Sequence, residues 1–222
     1  HAHAQRLALM LQNQTEEEFA DSRFQVLSEL TRLRQLCCDP ALVYENYEGG
    51  SAKLDLCIEL IQSAVESGHK ILLFSQFTSM IEILTARLQE ESISCFVLQG
   101  STKKEQRAQM VEQFNRDDTS VFCISLKAGG TGLNLTGADI VIHYDPWWNV
   151  AVENQATDRA HRIGQKNVVT VYKLIAKGTI EEKIIKLQQM KKELAEEILS
   201  GDEIKTASFQ REELLELLEE RF

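Results

Sequence analysis

Two short runs, VFCIS at 121–125 and IVIHY at 140–144, carry almost no polar alternation, and this constrains the fold more than any other feature of the chain. A strand with water on one face alternates apolar and polar side chains; a strand apolar on both sides must be covered on both faces. Such coverage comes from crossover helices, and the sequence between the runs supplies them. Apolar residues recur at helical spacing over 51–67, 78–90 and 102–115, separated by short strand-like runs at 71–75 and 94–98, with another at 168–175. Ser101 or Thr102 is expected to cap the 102–115 helix, with Glu105 closing a capping box. The alternation predicts an α/β fold with a mostly parallel sheet between helices, and sites at the carboxyl ends of its strands.

Two segments then stand at that edge. SLKAGGTGLNL, residues 125–135, follows a strand directly, and Gly129, Gly130 and Gly132 would let backbone N–H groups approach an anion without Cβ obstruction. It is not a Walker A string, so it is no triphosphate cradle by itself, and a purely structural turn is an equal alternative. QATDRAHRIGQ, residues 155–165, reads as a helix placing Gln155, Arg159 and Arg162 at i, i+4 and i+7, with Gly164 as its C-cap. The residues alone leave a solvated face and a cation pair for an anion both open. Lys103, Lys104 and Arg107 form a basic helix start with the same two readings.

A net charge of -10 looks wrong for a polyanion binder until it is divided along the chain. Residues 1–50 carry 4 basic and 8 acidic side chains, and 179–222 carry 7 and 12; residues 51–178 carry 13 and 14. The acidity sits on the flanks, which leaves the central domain free to present a locally basic face. The five cysteines show no C-x-x-C spacing, which fits reduced thiols rather than a disulfide framework or a zinc site. No apolar run approaches a membrane span and no signal peptide opens the chain, so an intracellular protein is expected. His1 and His3 read as the edge of an excised piece rather than metal ligands.

The organisation expected is a helical lead-in and linker over 1–50, a central lobe over 51–178 and a helical brace over 179–222. The lead-in reads as helices at 4–11 and 19–38, the second with an apolar stripe of Phe24, Leu27, Leu30, Leu33 and Leu36. The brace reads as a long helix over 179–199 and an amphipathic one over 210–222.

FSQF (74–77), LQGS (98–101), SLKAGGTGLNL, DPWWN (145–149) and QATDRAHRIGQ, in that order and spacing, resemble the second RecA-like lobe of the Swi/Snf family of superfamily-two DNA translocases. LTRLRQLCCDP (30–40) and GTIEEKI (178–184) resemble the family's approach to and exit from that lobe. The resemblance implies a RecA-like three-layer domain with helical extensions at both ends. It implies a DNA-dependent ATPase whose ATP and Mg2+ are held mainly by an N-terminal lobe lying outside this chain, with no metal ligands here. Arg159 and Arg162 match the arginine-finger positions and would be catalytic; Gly130, Gly132 and Gln155 match positions that support the nucleotide. Ser75, Gln76, Gly100, Ser101, Lys127, Thr131 and Trp148 match segments that meet the DNA backbone.

The partners so implied are double-stranded DNA and the N-terminal lobe of the same protein, with no membrane, a monomeric fragment, and a nucleoid or nuclear location. One departure is visible: Val150 stands where the family pattern has proline after DPWWN. A strand-separating helicase lobe, a non-catalytic scaffold module and a stand-alone α/β enzyme using the glycine segment are the alternatives.

Overall fold

The computed structural model describes residues 2–126, 128, 133–162, 165 and 167–198. It divides into two compact units, one of Tyr44–Ile175 and the other of His1–Val43 with the chain from Ala176 onward.

The larger unit is built on five strands: β1 (Ile71–Ser75), β2 (Cys95–Leu98), β3 (Val121–Ser125), β4 (Ile140–His143) and β5 (Thr170–Lys173). Their order across the sheet is β2-β3-β1-β4-β5, and every adjacent pair is parallel. The three central strands are buried along their whole length, as the unalternating runs require, while all four residues of the edge strand β5 are exposed. α3 (Ala52–Glu66) leads into β1, and three helices connect strands: α4 (Thr78–Glu90), α5 (Lys104–Arg116) and α6 (Val150–Thr157). One core of Leu72, Phe74, Phe114, Phe122, Ile124 and Val141, with Ala156 and Ala160, packs between sheet and helices. Each fully buried side chain of that size is worth roughly 1.5–3 kcal/mol of transfer free energy, so this core carries the unit's stability.

The expected cap of α5 fails for a clear reason. α5 begins at Lys104, with Lys103 as an N-cap making no side-chain cap bond. Thr102 is not the cap because its hydroxyl accepts from Gln99 N at 3.1 Å, closing the turn that precedes the helix. At its other end α5 is finished by Lys70, whose ammonium donates to the carbonyls of Phe114 and Asp117, a cation meeting the negative end of the helix dipole.

The second unit contains α1 (Ala2–Gln12), α2 (Glu16–Cys38), a 3-10 turn at Pro40–Leu42 and α7 (Ile180–Ile198). α2 starts three residues before the apolar periodicity because Thr15 and Glu18 form a capping box. Its buried stripe is Phe19, Val26, Leu30 and Leu33; Phe24 and Leu27, expected in it, are 86% and 41% exposed. Leu30 and Leu33 lie where the expected stripe puts them, whereas toward the helix start the inward line runs through Val26 and Phe19 instead of Leu27 and Phe24. The expected helix over 210–222 lies outside the described residues. Among the described residues no helix is long and apolar enough to cross a membrane.

Candidate functional site

The carboxyl ends of β1, β3 and β4 lie side by side, with Ser75 in register with Ser125 and Phe74 with His143. Just beyond β4 the chain runs through Asp145, and this carboxylate organises the end of β1. Ser75 donates its hydroxyl to Asp145 Oδ1 at 2.5 Å, and Gln76 N donates to both carboxylate oxygens at 3.3 and 3.4 Å. Ser75 is 0% exposed, and its hydroxyl makes this internal contact rather than standing at the surface. Gln76 is half-buried, and its side-chain Nε2 is buried without a hydrogen-bond partner.

α6 follows, opened by Asn149, whose side chain accepts from Ala151 N at 2.9 Å. Val150 is the first helical residue, where proline and any other residue are equivalent in hydrogen bonding because that N–H has no helical partner. The departure at this position therefore leaves the helix start intact. Trp147 N donates to Glu153, a buried carboxylate paired with the Lys173 ammonium. Trp147 packs on the core, and Trp148 beside it is half-buried.

The helix ends at Thr157, with Asp158 as its C-cap, so Arg159 and Arg162 lie beyond it in turns. The single stripe expected of Gln155, Arg159 and Arg162 is not formed. Gln155 and Arg162 are exposed, whereas Arg159 is 4% exposed. The turn is fixed from three directions: Leu135 N donates to Arg159 O at 3.1 Å, Gln165 N donates to Arg162 O, and Gln165 Nε2 donates to the carbonyls of Thr136, Ala138 and Ala160. Gln165 is a hub the sequence reading did not single out, although it closes the very segment that drew attention.

Arg159 is unusual in its partners. Its Nε and Nη1 are buried and make no hydrogen bond, and burial, followed by the nearness of Arg162, lowers its pKa to about 10. It stays charged at neutral pH. Leaving two nitrogens of a desolvated cation without acceptors is expensive, up to several kcal/mol even after relaxation. Nearby, Thr157 Oγ1 donates to Glu153 O, so the 2.9 Å contact from His143 Nε2 is the ring donating to that hydroxyl. His143 Nδ1 is then a buried acceptor without a partner, on a ring stacked against Phe74 and held neutral, its pKa pushed down to about 4 chiefly by burial.

On the far side of β3, the turn after β2 exposes Gly100 and Ser101. A Cβ built on Gly100 would meet nothing within 4 Å, so the chain itself gives no steric reason for glycine there. Arg107, half-buried at the start of α5, donates to carbonyls of this turn and to Ala128 O. Asn115 holds the 134–137 loop, donating to Asn134 O and accepting from Gly137 N. Gly130, Gly132, Lys127 and Thr131, expected to meet nucleotide or DNA, lie outside the described residues, as does Gly164.

Comparison with known proteins gives this arrangement its context. Residues 52–164 match the helicase conserved C-terminal domain family. A protein of Mycoplasma pneumoniae described as an uncharacterized ATP-dependent helicase is 45% identical over 202 residues, 89% of this chain and 19% of its own length. The chain thus spans about a fifth of the length of the curated relatives it matches. Among solved structures, the Sulfolobus solfataricus SWI2/SNF2 ATPase C-terminal domain superimposes with a TM-score of 0.76 at 31% identity, over 98% of this chain and 90% of that one. The S. solfataricus SWI2/SNF2 ATPase core in complex with dsDNA gives the same TM-score at 34% identity, over 98% of this chain and 46% of that one.

Proposed function

This chain belongs to the Swi2/Snf2 family, as a C-terminal lobe with the helicase conserved C-terminal domain, and from that premise we propose that it is the second motor lobe of an ATP-dependent double-stranded DNA translocase. The observation that carries the reading is Arg159: a buried guanidinium with two nitrogens unpartnered, in the turn that follows α6. A γ-phosphate presented by a companion lobe would supply the missing acceptors, and the planar fork matches phosphate oxygens as lysine cannot. Arg162, exposed and close enough to depress the Arg159 pKa, is the second cation of the pair. An arginine finger contributes about 10³ to 10⁵ in rate by stabilising charge on the transferring phosphoryl group. Gln155, Gly130 and Gly132 support the nucleotide in this reading.

Mg2+ neutralises the phosphate oxygens in such a reaction. Its ligands are assigned to the companion lobe in this reading, and no step is assigned to it here. Gln76, Gly100, Ser101, Lys127, Thr131 and Trp148 are the residues assigned to the DNA backbone, a set of hydroxyls, an amide, an ammonium, loop N–H groups and one aromatic that carries no base-reading pattern. Sequence-blind contact suits a motor that steps along any duplex, with ATP closing and hydrolysis opening the cleft between lobes.

The test is DNA-stimulated ATP hydrolysis by the full-length protein with Arg159→Ala or Arg162→Ala. Turnover should fall on the order of 10³-fold in the first variant and steeply in the second. Duplex affinity should stay within a few-fold of wild type. Near-normal turnover in both variants sinks the assignment.

A further inference from the structure

We propose that Arg107 is a positioning residue that locks the 99–102 turn to the start of the glycine-rich segment, so that the DNA contact and the nucleotide contact share one geometry. Its Nε donates to Thr102 O at 2.8 Å, Nη1 to Ala128 O at 3.1 Å, and Nη2 to Gln99 O at 3.3 Å and Gly100 O at 3.0 Å. These carbonyls come from two segments that leave the carboxyl ends of neighbouring strands, β2 and β3. Among the described residues no backbone hydrogen bond joins the two segments, and no carboxylate pairs with Arg107.

A cation that gives four hydrogen bonds to main-chain oxygens and none to a carboxylate is not recognising charge; it fixes the distance between the oxygens. The rigid fork of the guanidinium can span both segments at once, whereas an ammonium is a single point of donation on a flexible stem. One segment exposes Gly100 and Ser101; the other leads from Ala128 directly into residues 129–132. The inference rests on the translocase reading, in which these two segments face DNA and nucleotide.

The experiment uses the full-length protein carrying Arg107→Ala or Arg107→Lys, with two readouts. In amide hydrogen exchange without ATP or DNA, Arg107→Ala should speed exchange in 99–102 and 126–135 on the order of tenfold, leaving β1 and β4 unchanged. In turnover, basal ATP hydrolysis should be retained while stimulation by duplex DNA drops about tenfold, the scale by which a coupling element acts. Arg107→Lys should not restore stimulation, and added ethylguanidinium should partly restore it in Arg107→Ala. Unchanged stimulation beside a responsive wild type overturns the proposal, as does faster exchange spread through β1 and β4, which marks a folding role. A wild type without DNA-stimulated turnover overturns the translocase reading itself, and the inference with it.

Discussion

Ser75 hands its hydroxyl proton to Asp145 across 2.5 Å, and the two residues are 0% and 2% exposed. A buried carboxylate needs every donor it has, and Ser75→Ala removes one without filling the gap. The variant should lose about 1–3 kcal/mol of stability, read from its urea midpoint, while the affinity of the folded protein for duplex DNA changes by less than about twofold. The reverse pattern, weakened DNA binding at unchanged stability, would return Ser75 to the DNA surface.

Arg159 gives the opposite sign. Its guanidinium is buried with Nε and Nη1 unsatisfied, so Arg159→Met, of similar volume and without charge, should leave the lobe as stable or raise its stability by about 1–4 kcal/mol. Thermal unfolding of the full-length protein without nucleotide checks this. The same variant should be inactive in DNA-stimulated hydrolysis. Marked destabilisation would mean that the side chain serves the fold instead.

Two glycines separate steric need from ligand need. A Cβ at Gly137 would stand 3.0 Å from Asn115 Oδ1 and 3.1 Å from Asn115 Cα, so Gly137→Ala should cost about 1–3 kcal/mol through displaced backbone. At Gly100 the added methyl meets open space, and Gly100→Ala should leave stability unchanged or higher by up to about 1 kcal/mol. If DNA backbone approaches there, that variant should bind duplex roughly tenfold more weakly, about 1.4 kcal/mol in a titration. Equal behaviour of the two variants in unfolding would contradict the geometry.

His143 should make the fold acid-sensitive. Burial lowers its pKa from 6.5 to about 4, so between those values the unfolded chain binds a proton that the folded chain does not. Stability is therefore full above pH 6.5 and falls as pH drops through the window, by up to about 1.4 kcal/mol per unit, before levelling below pH 4. Chemical denaturation at pH 7, 6 and 5 should show this slope, and His143→Gln should flatten it.

The sheet was legible because burial on both faces writes itself into composition. VFCIS and IVIHY have few other uses, and their strands were found at the expected residues with a parallel register. Helix starts were less legible where a side chain had competing partners. Thr102 looks like a cap and serves a turn; Thr15 looks like loop and is a cap. The arginine segment was found by its residue types but misread as a helix stripe, because Asp158 ends α6 before either arginine. What periodicity cannot express is hydrogen bonding to main-chain oxygens from distant segments, and Gln165 and Arg107 do their work in that way. For Gln165, an amide between turn residues is the faint signal it left; Arg107, inside the first turn of α5, left none beyond its charge.

Because the turn bearing Arg159 is tethered to Leu135 on one side and, through Gln165, to Thr136, Ala138 and Ala160 on the other, it has little room to search. A guanidinium on so fixed a backbone has only its own side-chain torsions with which to reach outward. In the motor-lobe reading, most of the approach then falls to the anion's own carrier, and a substitution that loosens the mounting should blur the timing of that encounter.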